Sequence, residues 1–117
     1  MVLTVGTGVS VTQGYAQFAI GMGYLGVMSD YAEGMKWFRG AAEKGHATSQ
    51  TILGMYHIIS AESIQDPEYF FDGNGEVDTE KVEEGIAEGV KWLRLAAEQG
   101  SEDAQYVLAD LKSEIVD

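Results

Sequence analysis

The phrase Lys36-Trp37-Phe38-Arg39-Gly40-Ala41-Ala42-Glu43-Lys44-Gly45 returns as Lys91-Trp92-Leu93-Arg94-Leu95-Ala96-Ala97-Glu98-Gln99-Gly100. A helical unit that recurs within one chain cannot bury its apolar face alone and does so against its neighbouring copies. The repeat therefore specifies a stacked α/α array rather than a globule around one core. Arrays of this kind usually bind other proteins.

In the first copy, Tyr31, Gly34, Met35, Phe38, Ala41 and Ala42 follow helical spacing and form one apolar stripe. Ile86, Gly89, Val90, Leu93, Ala96 and Ala97 form the same stripe in the second. Asp30 stands where an N-cap belongs, with Glu33 three residues on, and Gly45 and Gly100 stand where a left-handed C-terminal cap belongs. Gly34 and Gly89 lie inside helices, where each costs about 1 kcal/mol relative to Ala. The same choice in both copies predicts close approach of a second helix.

Each closing glycine is followed by a further helical register: Ser49-Gln50-Thr51-Ile52-Leu53-Gly54 and Ala104-Gln105-Tyr106-Val107-Leu108-Ala109. It appears once before them, as Ala16-Gln17-Phe18-Ala19-Ile20-Gly21. The chain thus reads as three front and two back helices, near 15–24, 31–44, 47–59, 80–99 and 102–114, joined as αα-hairpins. Ala16 to Ser49 is 33 residues and Ser49 to Ala104 is 55. The second unit therefore carries an insertion, at 60–79, with the only proline, Pro67, and the turn-rich Asp72-Gly73-Asn74-Gly75. Long insertions in repeat proteins project from one face and are often functional. The resulting division is an irregular N-terminal arm at 1–14 and a repeat domain at 15–117.

The formal net charge is −12 and unevenly placed. Residues 1–50 balance three acids against three bases, and Glu62–Glu88 holds ten acids and one base. Phosphate binding needs clustered Lys and Arg, so nucleic acid and anionic membranes are not expected partners. A protein with a basic patch is, because complementary charge steers association. The absence of cysteine removes disulfides, thiolate metal sites and cysteine nucleophiles. No apolar run is long enough to span a bilayer, and the uncharged start lacks the basic and continuous apolar regions of a secretory signal, so a cytoplasmic location is expected.

With these residues in place, the chain resembles the Sel-one-like repeat family, relatives of the tetratricopeptide repeats. The resemblance is carried by Ile20-Gly21, Tyr24, Asp30-Tyr31, Lys36-Trp37, Ala41-Ala42-Glu43-Lys44-Gly45-His46, Leu53-Gly54, Lys91-Trp92 and Ala96-Ala97-Glu98-Gln99-Gly100. It covers 16–59 and 82–111. Gly34 and Gly89 replace the family's usual alanine, and His57 stands where its tyrosine is expected. The resemblance implies an all-α fold, a short right-handed α/α solenoid of antiparallel hairpins, and a scaffold or adaptor role of a kind most common in bacteria. It also implies that the helices at 15–24, 47–59 and 102–114 line a concave face. Phe18, Met22, Thr51, Met55 and Tyr106 are the candidate contacts there.

A second candidate surface is Tyr69, Phe70 and Phe71, three consecutive aromatics among acids, as in a hydrophobic anchor ringed by charge. Beside it, Asp72, Asn74, Glu76, Asp78, Glu80 and Glu83 place oxygen donors at positions 1, 3, 5, 7, 9 and 12 of an EF-hand-like loop. Val77 occupies the sixth position, where that loop needs glycine for its turn. The competing reading is a solvated turn in which Thr79 and Glu80 cap the next helix. No nucleophile triad, phosphate loop or His-rich metal spacing occurs, so an enzyme is not expected.

The sequence therefore points to a protein-interaction module, for example an adaptor or an inhibitor that covers an enzyme or toxin. No cofactor is expected. A calcium-binding module through 72–83 is the alternative, and a carboxylate-dependent hydrolase a more distant one. The apolar first helix, with Tyr15, Phe18, Ile20 and Met22, has no evident cap before it, which raises homo-oligomer formation through the N-terminal end.

Overall fold

The computed structural model is all-helical over the residues it describes: the backbone of 2–63, 76 and 78–116, and within these the side chains of 13–61, 76 and 78–112. In order the helices are α1 (Val2–Gly26), α2 (Tyr31–Glu43), α3 (Ala47–Ser63), α4 (Thr79–Glu98) and α5 (Glu102–Val116). α1 packs on α2, α2 on α3, α3 on α4 and α4 on α5, and α3 also touches α5. No described helix is long and apolar enough to cross a membrane.

The repeated phrase folds into repeated hydrogen bonds. Gly45 (φ 90°) and Gly100 (φ 97°) take the left-handed conformation that a side chain disfavours. Around Gly45, its own N–H donates to Ala42 O (3.0 Å) and that of His46 donates to Ala41 O (3.1 Å). Around Gly100, its own N–H donates to Ala97 O (3.0 Å) and that of Ser101 donates to Ala96 O (3.1 Å). These are paired Schellman caps, which satisfy carbonyls that the helix ends leave open. The next helix then starts at once. His46 Nδ1 accepts from Ser49 N–H (3.2 Å) to cap α3, and Ser101 Oγ accepts from Ala104 N–H (3.2 Å) to cap α5.

A glutamine set ties each front helix to the back helices. Gln50 Nε2 donates to Ala42 O and Gln105 Nε2 donates to Ala97 O, each at 3.1 Å. In turn Lys44 Nζ donates to Gln17 Oε1 (2.9 Å) and Gln99 Nε2 to Gln50 Oε1 (2.8 Å). Gln17, Gln50 and Gln105 hold the same register in α1, α3 and α5, and Lys44 and Gln99 hold the same place after α2 and α4.

The glycines expected at close approaches are there. A Cβ on Gly34 would lie 3.2 Å from Gly21 O, and one on Gly89 would lie 2.7 Å from Gly54 O. Over the same points sit the fully buried, equivalent side chains of Phe38 and Leu93. Ala42, Leu53 and Trp92 form one buried cluster, and Ile58, Leu93, Ala96, Ala104 and Leu111 form another. Trp92 thus packs across the junction between the two units, whereas its counterpart Trp37 is only half-buried.

Two expectations are corrected. The arm at 1–14 is not irregular, because α1 is helical from Val2. Once a helix is nucleated each added residue gains a hydrogen bond, and no proline interrupts residues 2–14. The insertion at 60–79 is likewise not all loop. α3 runs on to Ser63, and α4 begins at Thr79, so it has 20 residues where α2 has 13. The added turns meet near Gly85, where a Cβ would contact Ala61 Cβ at an ordinary 3.5 Å. The N-cap of α4 is Asp78, whose carboxylate accepts from Lys81 N–H (3.2 Å), rather than Thr79 or Glu80. Asp30 caps α2 as expected, accepting from Glu33 N–H (3.1 Å).

Candidate interaction surface

The front helices α1 and α3 are nearly free of charge. No ionisable acid or base lies between Met1 and Ser29 except tyrosines, and between Ala47 and Ala61 only His57 adds a group that titrates near neutrality. α3 is buried on two sides. Ser49, Gln50 and Leu53 are covered on one, and Thr51, Gly54, Ile58 and Ala61 on the other. Between them a stripe of Thr48, Ile52, Met55, Tyr56 and Ile59 stays wholly or partly exposed at helical spacing. It carries no formal charge, and its polar groups are the Thr48 and Tyr56 hydroxyls. The equivalent stripe of α1, 33 residues earlier, begins with Tyr15, Ala19 and Met22, all exposed.

This stripe is not quite the one expected from the sequence. Thr51 is only 6% exposed, and its hydroxyl is engaged with Ala47 O and Ser101 Oγ, each at 3.0 Å. It is therefore not a contact residue. Phe18, at the same register in α1, is turned inward as well. Its ring lies 4.8 Å from that of His46 and 5.9 Å from that of Phe38. So the pair Phe18/His46 in one unit and the pair Thr51/Ser101 in the next fill the same slot, one with rings and the other with hydroxyls. Tyr106 shares that register and is 74% exposed. It belongs to the side of α5 that would face a following helix. Met22 is exposed, and Met55 is half-buried against the second core cluster.

Tyr15, Tyr56 and Ile59 are the surface residues that the sequence reading missed. The signal that would have found them is the 33-residue shift itself, which carries Met22 to Met55 and so marks the outer stripe. A choice anchored on Phe18 marks the inner one.

Tyr69, Phe70, Phe71, Asp72 and Asn74 lie outside the described residues. Of the remaining loop donors, Glu76, Glu80 and Glu83 are exposed, and Asp78 serves as the α4 cap. Among the described residues no group of three or more His, Asp or Glu side chains is placed to hold a metal.

A dense charge cluster joins α2, α3 and α4. Arg39 Nη2 donates to His57 Nε2 (3.2 Å), Trp92 Nε1 donates to Glu88 (3.0 Å), and Arg39 and Lys91 flank the same carboxylate at 3.7 and 3.9 Å. Lys91 also lies over the Trp92 ring, 5.1 Å from its centroid. Burial lowers the His57 pKa, Arg39 lowers it further, and Glu88 opposes both. Burial also lowers that of His46. Both imidazoles are neutral acceptors in this geometry. The cluster clasps the two units together and its groups are occupied by one another.

Comparison with protein-family models, curated proteins and solved structures finds no match.

Proposed function

We propose that the chain is a protein-interaction module, a short right-handed α/α solenoid of antiparallel hairpins that presents an apolar face to a partner with basic flanks. The observation that carries this reading is the exposed, charge-free stripe on α1 and α3 in a molecule of net charge −12. Apolar side chains kept at the surface on an uncharged face, with acids crowded beyond it, suit a partner segment that is apolar in the middle and basic at its ends.

The hairpin geometry is supported by which residues meet. Added Cβ atoms would place Gly14 against Lys44 and His46, Gly21 against Gly34, Gly54 against Gly89, and Gly85 against Ala61. In each pair the numbers converge toward the turn, as they do in antiparallel neighbours. The match of turns, glutamines and glycine crossings between the units supports stacking by a regular operation, which is what a solenoid is.

The test uses the purified chain as bait against a lysate of its own cells, washed at low and high salt, beside Met22→Glu and Tyr56→Glu. A partner that binds the native chain, weakens at high salt and is lost in both variants is expected. A partner retained by both variants would place binding elsewhere and refute the stripe. Variants confined to Tyr69, Phe70 and Phe71 then show whether the insertion contributes.

A further inference from the structure

α1 lacks on one side the cover that the other front helices have. By the repeat register, Ala16 and Ile20 correspond to Ser49 and Leu53 of α3 and to Ala104 and Leu108 of α5. Ser49 and Ala104 are fully buried, and Leu53 is 2% exposed, packed in the cluster that α2 supplies through Ala42 and Met35. Ala16 is exposed and Ile20 is 42% exposed. Residues 2–13 do not cover this side, because they continue α1 itself.

We infer that this open face of α1 is covered by α1 of a second copy of the chain. Charge selects the occupant. α1 is the only one of the five described helices without an Asp, Glu, Lys, Arg or His. α4 and α5 both carry more acids than bases, so two copies meeting through either would bring like charges together. Two copies of α1 meet without burying any charge, and a two-fold contact between them sets the same surface on both sides.

Sedimentation equilibrium of the full chain over a wide concentration range tests this. The expected mass at the upper end is twice 12.7 kDa. Ile20→Glu and Ala16→Glu, both at exposed positions, should return it to one chain with unchanged helical circular dichroism. Tyr106→Glu, which places the same charge at the far end, should leave the dimer intact. A single-chain mass at every concentration, or a dimer that survives both α1 substitutions, would overturn the proposal. A single-chain form that co-floats with zwitterionic phosphatidylcholine vesicles would overturn it in favour of a lipid surface.

Discussion

Replacing Gly89 with alanine sets two known effects against each other within one residue. In a helix interior the added methyl is favourable by about 1 kcal/mol. Here it would stand 2.7 Å from Gly54 O and 2.9 Å from Ile58 Cδ1. The isoleucine end can turn aside, but the backbone oxygen cannot move without separating α3 from α4. That separation loosens Leu93 and Ile58, which are 0% and 4% exposed. Overpacking of this kind costs typically about 1–3 kcal/mol, so once the propensity gain of about 1 kcal/mol is subtracted a net loss of up to about 2 kcal/mol is expected. Gly85→Ala is the internal control. It lies in the same helix, but its new Cβ meets Ala61 at an unstrained 3.5 Å, so it should gain most of the propensity term, about 0.5–1 kcal/mol. Urea unfolding followed by the fluorescence of Trp37 and Trp92 reads both, with the slope showing whether the transition stays two-state. If Gly89→Ala matched or exceeded the native midpoint, the close crossing would not constrain the fold and the reasoning would fail.

Other perturbations probe the remaining links. Gln50→Ala removes the donor to Ala42 O and the acceptor of Gln99, and should cost about 1–3 kcal/mol because the buried Ala42 carbonyl is left unsatisfied; Gln105→Ala, at an exposed position, should cost less in the same urea assay. Both histidines have pKa values lowered from 6.5 in the folded chain, so the unfolded chain takes up protons first. Stability should hold above pH 6.5 and fall as the pH drops through and below it; a His46→Gln/His57→Gln chain should show a flatter melting-temperature profile over that window. Calorimetric titration with millimolar calcium should give no binding heat, since Asp78 is committed to capping α4 and Val77 stands where the loop needs glycine; a saturable signal lost in Asp72→Asn would reverse this. Trp92→Phe should lower stability, because it takes a donor from Glu88 and apolar area from the junction.

The elements best read from the sequence are those where local and tertiary demands coincide. In the Ala-Ala-Glu phrase, the apolar stripe, the closing glycine and the following cap all agree, and α2 and α4 end as expected. The expected close approaches at Gly34 and Gly89 rested on a cost repeated in both copies, and such a cost needs a packing reason. Two features were not legible. Residues 2–14 mix valine with glycine and threonine, which weakens any helical period, yet nothing there forbids propagation from α1. Met22 and Met55 lie in the exposed stripe but Phe18 and Thr51 do not, because a front helix buries two faces, and periodicity alone does not tell a burying stripe from the strip left between two of them. Phe18, Thr51 and Tyr106 look like a contact row until the His46 ring and the Ser101 hydroxyl are seen to occupy the first two.

Because the principal packing joins helices adjacent in the chain, structure can form and be lost piece by piece. Loop-closure entropy is small for such contacts, so folding should be fast for a chain of this length. Amide exchange should be graded rather than uniform, and slowest where α3 lies against both α2 and α4.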